Sequence, residues 1–187
     1  MGMAIVILGA LAGVVVLWAV VSFNRFVAQR QVIENSWSNV ETELTRRHDL
    51  IPNLVETVRG YAGHEADTLR EVIEARTGAV GAVGGPEAHQ GVENVLTAGL
   101  RHLFAVSEAY PELQASERFL DLHEELVTTE DRLQAARRLF NGNVREYNRR
   151  VESIPSILIA KLARFPKRDY FEIEPSAAAV PSVRSTD

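Results

Sequence analysis

The chain opens with a long apolar run that contains no charged residue. Residues 4–23 read AIVILGALAGVVVLWAVVSF, and a helix of about 20 such residues crosses the roughly 30 Å hydrocarbon core of a bilayer. A secretory signal peptide would need a basic start and a small-x-small cleavage site. Neither the opening Met-Gly-Met nor the residues before Asn24 supply them. The pattern therefore predicts an uncleaved transmembrane anchor over residues 1–23.

Beyond the anchor, apolar residues recur at alternating steps of four and three. They are Ile33, Trp37, Val40, Leu44, Ile51, Leu54, Val58 and Tyr61. This spacing is typical of a long amphipathic helix with a narrow, coiled-coil-like apolar stripe. Arg47 takes the stripe position between Leu44 and Ile51, and Pro52 follows soon after. Because the pattern resumes in phase beyond Pro52, we expect the helix to bend there rather than to end.

Three further amphipathic helices are predicted near residues 64–76, 92–110 and 111–153. Residues 77–91 contain five of the 12 glycines and Pro86, which predicts a flexible loop. Short connections make neighbouring helices antiparallel. The predicted fold class is all-α, with one N-terminal transmembrane helix followed by an antiparallel up-and-down four-helix bundle. Residues 175–187 lack a core-forming pattern and are predicted to be disordered.

All charged residues lie beyond residue 24, and the formal net charge is −5. Arg25 and Arg30 follow the apolar run and no basic residue precedes it. The positive-inside rule therefore predicts a single-pass protein of the cell membrane, with its N-terminus outside and its domain in the cytoplasm. Because the chain has no basic stripe with interleaved aromatic residues, we expect no binding to nucleic acid. The absence of cysteine excludes disulfides, thiolate catalysis and cysteine-ligated metals.

The segment around Arg47 is the first candidate site. Its residues are Arg46, Arg47, His48, Asp49, Pro52 and Asn53. One interpretation is that Arg47 pairs with an acidic residue of a facing helix and fixes the helix register. We would then expect the substitution Arg47→Leu to leave the fold intact. The other interpretation is a polar cluster that binds an anionic group or a partner segment.

The second candidate segment, residues 154–168, reads IPSILIAKLARFPKR and combines apolar residues with four bases and no acid. An apolar face flanked by bases is what a helix needs to lie on an anionic lipid surface. The predicted membrane-surface contacts are Lys161, Arg164, Phe165, Lys167 and Arg168. The alternative is that residues 157–165 cap the base of the bundle.

Catalytic motifs are missing from the sequence. No glutamate lies three residues before any of the five histidines, and there is no H-E-x-x-H, P-loop or G-x-S-x-G motif. We therefore predict no catalytic residue, metal, cofactor or small-molecule substrate.

Several stretches resemble the LemA family in both sequence and order. They are RRHDLIPNLVETVRGYAGHEADTL, SEAYPELQASERFLDLHEEL, the run LFN followed by VREYN, and SIPSILIA followed by YFE. The resemblance covers roughly residues 4–174. It implies a single-pass anchor and a four-helix up-and-down domain over residues 24–174, and it carries over no catalytic residues. The glycine-rich stretch at residues 77–91 departs from the commonest family pattern.

Together these features favour a membrane-anchored scaffold or adaptor that presents a helical surface to protein partners. The expected partners are the lipid bilayer and other proteins. Gly9 and Gly13 form a G-x-x-x-G, which leaves self-association open. The alternative function is a signalling or envelope-stress component that senses a ligand near residues 46–53. A hydrolase or metalloenzyme is a third possibility.

Overall fold

The computed structural model describes residues 2–172, and this part of the chain contains helices and no strand. The helices are α1 (Gly2–Tyr61), α2 (Ala66–Val80), α3 (Pro86–Ser107), α4 (Pro111–Gln114), α5 (Glu117–Glu152) and α6 (Ser156–Leu162). The all-α prediction is confirmed for these residues. The tail predicted to be disordered, residues 175–187, lies outside the described residues.

Helix α1 is a single helix of 60 residues that continues through Pro52, as the phase of the apolar pattern predicts. Its first third is long and apolar enough to cross a membrane. Apart from the half-buried Trp18, the large apolar side chains between Met3 and Val21 are 44–80% exposed, which is typical of a segment whose solvent is lipid. From Phe26 onward the same helix contributes buried residues to the core. The candidate transmembrane segment and the domain therefore share one helix.

Helices α1 and α5 run antiparallel along most of their length. Phe26 packs edge-on against Tyr147 at one end of the pair, and Glu56 forms an ion pair with Arg118 near the other. Helix α2 folds back beside α1, and α3 folds back beside α2. The predicted helix at residues 111–153 is divided into the short α4 and the long α5.

The loop predicted at residues 77–91 is much shorter in the structure, where it spans only residues 81–85. Helix α2 continues to Val80 because burial of Ala79 offsets the cost of Gly78. Pro86 begins α3, where its fixed φ favours the first helical turn. Gly84 takes a φ of +134° in the loop, a value that other residues rarely adopt.

Two hydrophobic cores occupy the domain. The proximal core lies next to the apolar segment and is built by α1, α5, α6 and residues 165–171; its largest members are Phe26, Leu133, Phe140, Tyr147, Phe165 and Phe171. The distal core is built by α1 to α5 and includes Ile51, Leu54, Leu69, Leu96, Leu103, Leu113, Phe119 and Leu126. The two cores meet between Leu44 and Ile51 of α1.

After α6 the chain turns back as an extended strap, residues 166–172, along α5. The amide nitrogen of Asn148 donates to the carbonyl of Arg168 at 2.8 Å, and its oxygen accepts from the Arg168 N–H at 2.9 Å. Asn141 makes the same pair of bonds with Phe171, both at 2.9 Å. The Tyr147 hydroxyl donates to the carbonyl of Pro166 at 3.0 Å. Because the asparagines lie seven residues apart, both face the strap from one side of α5.

Candidate functional site

A buried polar layer separates the two cores. Arg47 is only 4% exposed. Its Nη1 lies 3.4 Å from Glu93 Oε2 and 3.8 Å from Glu130 Oε2. Its Nη2 donates to Thr97 Oγ1 at 2.7 Å. Arg47 therefore pairs with acidic residues of facing helices, which is the first of the two interpretations drawn from the sequence.

His48 completes the polar layer from the next position of α1. Its Nε2 lies 2.8 Å from Glu93 Oε1, so both oxygens of this carboxylate have a partner on α1. Glu93 is fully buried. Removal of Arg47 alone would leave a buried carboxylate without its guanidinium, and an uncompensated buried charge is strongly destabilising. From these contacts we expect Arg47→Leu to destabilise the fold, which differs from the expectation drawn from the sequence alone.

A hydrogen bond from α2 compensates for Pro52. Proline has no N–H, so the carbonyl of His48 receives no helical bond from position 52. Arg76 Nε donates to that carbonyl at 2.7 Å. The sequence pattern did not single out Arg76, because nothing in it shows which side chain will reach a carbonyl of another helix.

The rest of the first candidate cluster lies at the surface. Arg46, Asp49, Pro52 and Asn53 are exposed, and Arg46 lies 3.9 Å from Glu43 on its own helix. The predicted six-residue cluster is therefore divided between the core and the solvent. Among residues 2–172 no group of three or more histidine or acidic side chains is arranged to hold a metal ion.

The hydrogen bond from the Tyr110 hydroxyl to Glu65 raises the pKa of Tyr110. Burial shifts the pKa values of two other groups, Tyr147 and His123. Burial raises the pKa of Tyr147, and the positive charges of Arg168 and Arg30 oppose that rise. Burial lowers the pKa of His123, whose ring packs edge-on against Phe104 at 5.1 Å. Neither group lies in the polar layer.

The five predicted membrane-surface residues have different environments. Phe165 is buried in the proximal core, where it stacks on Phe26 at 4.9 Å, so it does not belong to the exposed surface. The chain turns back at Arg164 and thereby directs Phe165 inward. Lys167 pairs with Glu152, and Arg168 lies 3.7 Å from Glu34. Lys161 and Arg164 are exposed.

An exposed apolar face adjoins these two bases. Ile154, Leu158 and Leu162 are 88%, 63% and 84% exposed. The spacing of four places Leu158 and Leu162 on one side of α6, and Ile154 lies in the turn before this helix. Helix α6 lies near the end of the apolar segment of α1. Phe165, three residues beyond the end of α6, contacts Phe23 with 5.5 Å between the ring centroids. The sequence shows the four-residue spacing of Ile154, Leu158 and Leu162. Only the structure shows that they are exposed while their neighbours Ile159 and Ala160 are buried.

Charged and apolar side chains together line two open grooves in the described part of the chain. The distal groove, of about 620 Å³, lies between α2 and α3 with Ala75, Gly78, Gly91, Val92 and Val95 along it and Asp67, Arg70, Glu71 and Glu74 at its rim. The basal groove, of about 390 Å³, lies where α1 leaves the apolar segment; among its lining residues are Trp18, Ser22, Arg25, Glu146, Arg149 and Arg150. Neither groove was predicted.

Comparison with known proteins identifies the family. The sequence model of the LemA family matches residues 36–184. Three relatives are magnetosome proteins: MamQ 2 and MamQ 1 of Paramagnetospirillum magneticum and MamQ of Magnetospirillum gryphiswaldense. Each is 26% identical over 179 aligned residues, which cover 82% of this chain and 66% of the relative, so the chain spans just under two thirds of their length. Because the family model matches most of the sequence, including α3, α5 and the strap, this chain belongs to the LemA family.

Proposed function

We propose that the protein is a membrane-anchored scaffold that holds a docking surface at a fixed distance from the bilayer. The continuity of α1 is the observation that carries this proposal, because one 60-residue helix joins the exposed apolar segment to both cores. Arg76 of α2 bonds to the carbonyl of His48, 25 residues beyond Phe23. The distal groove beside it therefore stands roughly 40 Å from the end of the apolar segment.

We propose three further points on topology, helix arrangement and partners. The N-terminus lies outside and the domain lies in the cytoplasm, as the positions of Arg25 and Arg30 favour. Helices α1, α2, α3 and α5 form an up-and-down four-helix bundle. Other proteins dock on this bundle.

The distal groove is the surface best suited to a protein partner. Val95 is 59% exposed within it, and a Cβ added to Gly78 or Gly91 would meet no other atom within 4 Å. These glycines therefore leave the groove open without serving the packing of the domain. Three acids and one arginine at the rim favour a partner helix whose apolar residues are flanked by lysine or arginine.

Site-directed photo-crosslinking of the full-length protein in its own membrane tests this proposal. A photoreactive residue at position 95 should give adducts with another protein, and the crosslinked peptide should be a basic amphipathic helix. The adducts should disappear when Glu71 and Glu74 are replaced by lysine. Position 139 is the matched control, because Leu139 is exposed to a similar degree but lies on α5.

Two results would contradict the scaffold proposal. Adducts of position 95 with this chain alone would indicate self-association instead. Equal adducts at positions 95 and 139 would show that the distal groove has no special affinity.

The structure favours neither alternative function. A ligand sensor at residues 46–53 would use the cationic side chain of Arg47, which is already bound by Glu93, Glu130 and Thr97. The absence of enzymatic activity stays a prediction.

A further inference from the structure

The basal groove lies at the boundary between the apolar segment and the charged part of the chain. Trp18 and Ser22 belong to the last turns of the apolar segment, and Arg25 follows within one turn. The opposite wall is the end of α5, with Glu146, Arg149 and Arg150. A bilayer crossed by α1 would therefore place its headgroups level with this groove.

The groove is positively charged. Three arginines and one glutamate line it, which leaves a formal charge of +2. Arg149 lies 2.8 Å from Glu146, and Arg150 lies 4.0 Å from it. Arg25 forms no ion pair among residues 2–172, so its charge is not matched by a carboxylate within 4.0 Å.

The donors available to an anion are guanidinium groups. The hydroxyl of Ser153 donates to the carbonyl of Arg149 at 2.6 Å, and that of Ser156 donates to the carbonyl of Arg150 at 2.8 Å. These serines are thus engaged with the backbone. Guanidinium forks match the geometry of phosphate oxygens and bind them with two parallel hydrogen bonds.

Exposed apolar side chains lie next in sequence to residues that line the groove. Leu17 and Val21 precede Trp18 and Ser22 on α1, and Ile154 precedes Pro155 in the turn before α6. A soluble phosphate would use only the arginines, whereas a phospholipid would use both the arginines and the apolar surfaces. We propose that the basal groove binds the phosphodiester of an anionic phospholipid of the phosphatidylglycerol class, with the acyl chains against Leu17, Val21 and Ile154. This proposal does not depend on the distal groove.

Trp18 provides a direct reporter. The full-length protein is reconstituted in phosphatidylcholine bilayers that contain a small fixed fraction of lipid brominated near the start of the acyl chains. The brominated lipid is either phosphatidylglycerol or phosphatidylcholine. The other tryptophan, Trp37, lies 19 residues further along α1 and hence about 28 Å away, so it contributes a constant background. Brominated phosphatidylglycerol should quench Trp18 more strongly than an equal fraction of brominated phosphatidylcholine.

Variants in the groove should change this preference in opposite directions. We expect Arg149→Gln and Arg150→Gln to lower the preference for phosphatidylglycerol by about fivefold each. Glu146→Gln should raise it, because the competing carboxylate charge is removed, and a gain cannot come from loss of folding. Lys161→Gln is the matched control, since Lys161 is an exposed base of the same end of the domain but does not line the groove.

Three outcomes would overturn the proposal. The first is equal quenching by both brominated lipids. The second is a loss of preference in Lys161→Gln as large as in Arg149→Gln, which would indicate general attraction to a charged surface. The third is displacement of the phosphatidylglycerol-dependent quenching by inorganic phosphate at constant ionic strength, which would assign the groove to a soluble anion.

Discussion

At the scale of single residues, Arg47 determines how three helices meet. Its guanidinium carries five N–H donors, and each needs an acceptor when the side chain is buried. Glu93 and Thr97 of α3 accept hydrogen bonds from this guanidinium, and Glu130 of α5 lies within ion-pair distance of it. The polar layer therefore fixes the axial positions of α3 and α5 relative to α1.

We predict that Arg47→Leu lowers the free energy of unfolding by about 3–5 kcal/mol, because the buried Glu93 loses its guanidinium. The double variant Arg47→Leu/Glu93→Leu should recover most of this loss. Thermal unfolding of the full-length protein in detergent, followed by circular dichroism, measures both. Arg46→Leu is the control and should change stability by no more than about 0.5 kcal/mol, since Arg46 is exposed. A single Arg47→Leu variant as stable as the parent would contradict the prediction.

The sequence could reveal Arg47 but not its partners. Arg47 interrupts an apolar stripe, and such an interruption is visible in one helix alone. Glu93 and Glu130 look like any other acidic residues of an amphipathic helix. Their burial depends on the register between helices, which a pattern within one helix does not contain.

His123 gives the domain a pH dependence. Its pKa in the folded protein is lowered by burial, so below about pH 6.5 the unfolded chain binds a proton at this site more readily than the folded chain. This contribution is absent well above that pH, lowers stability increasingly as the pH falls from about 6.5 to the folded pKa, and stays constant at lower pH. The melting temperature of His123→Gln minus that of the parent should therefore become more positive when the pH is lowered from about 8 to about 5. His64→Gln, at an exposed position, is the control variant measured alongside.

At the scale of helices, Arg76 of α2 compensates for the hydrogen bond that Pro52 removes from α1. The proline leaves a carbonyl of α1 without its helical donor, and the arginine supplies one from α2. This hydrogen bond satisfies the free carbonyl of α1 and also links α2 to α1.

This pairing predicts a coupling that a double-mutant cycle can measure. Arg76→Met should lower stability by about 1–3 kcal/mol in the parent chain, because the carbonyl of His48 is left unsatisfied. In a Pro52→Ala background the backbone N–H of residue 52 can bond to that carbonyl, so the same substitution should cost clearly less. Equal costs in both backgrounds would show that the bond to His48 contributes nothing.

Periodicity predicts long helices well and their ends poorly. The apolar pattern of α1 and α5 was sufficient to predict an all-α chain and the passage of α1 through Pro52. The glycine content of residues 77–91 suggested a loop three times longer than the one observed, because composition does not show that Ala79 is buried. The sequence of the strap shows no hydrophobic periodicity. Its position depends on hydrogen bonds from α5 side chains to its main chain, which leave no pattern in its own residues.

At the scale of the whole molecule, the polar layer divides the domain into two halves with different neighbours. The proximal half contains α6 and the basal groove, whereas the distal half contains α2, α3 and the distal groove. Helices α1 and α5 contribute to both cores. The proposed lipid site and the proposed protein site are therefore connected by two stiff helices.

The proposed orientation in the membrane can be tested with a single thiol, because the chain has no cysteine. Val83 lies in the short loop between α2 and α3 and is highly exposed, and such positions tolerate substitution. A membrane-impermeant maleimide should label a Val83→Cys variant in inside-out vesicles and not in intact cells. A Met3→Cys variant should show the reverse. Labelling of Val83→Cys in intact cells would reverse the proposed topology.

The strap has a consequence for how this part of the chain can change. Asn141, Tyr147 and Asn148 bond to main-chain atoms of residues 166–171. Any residue other than proline could make the same bonds at position 168. Phe171 differs, because its ring is also buried in the proximal core against Trp37. The asparagines, in contrast, have no substitute that both donates and accepts at that length. Evolutionary constraint on this attachment should therefore fall on the helix that holds the segment, while the segment itself is free to vary wherever its side chains face solvent.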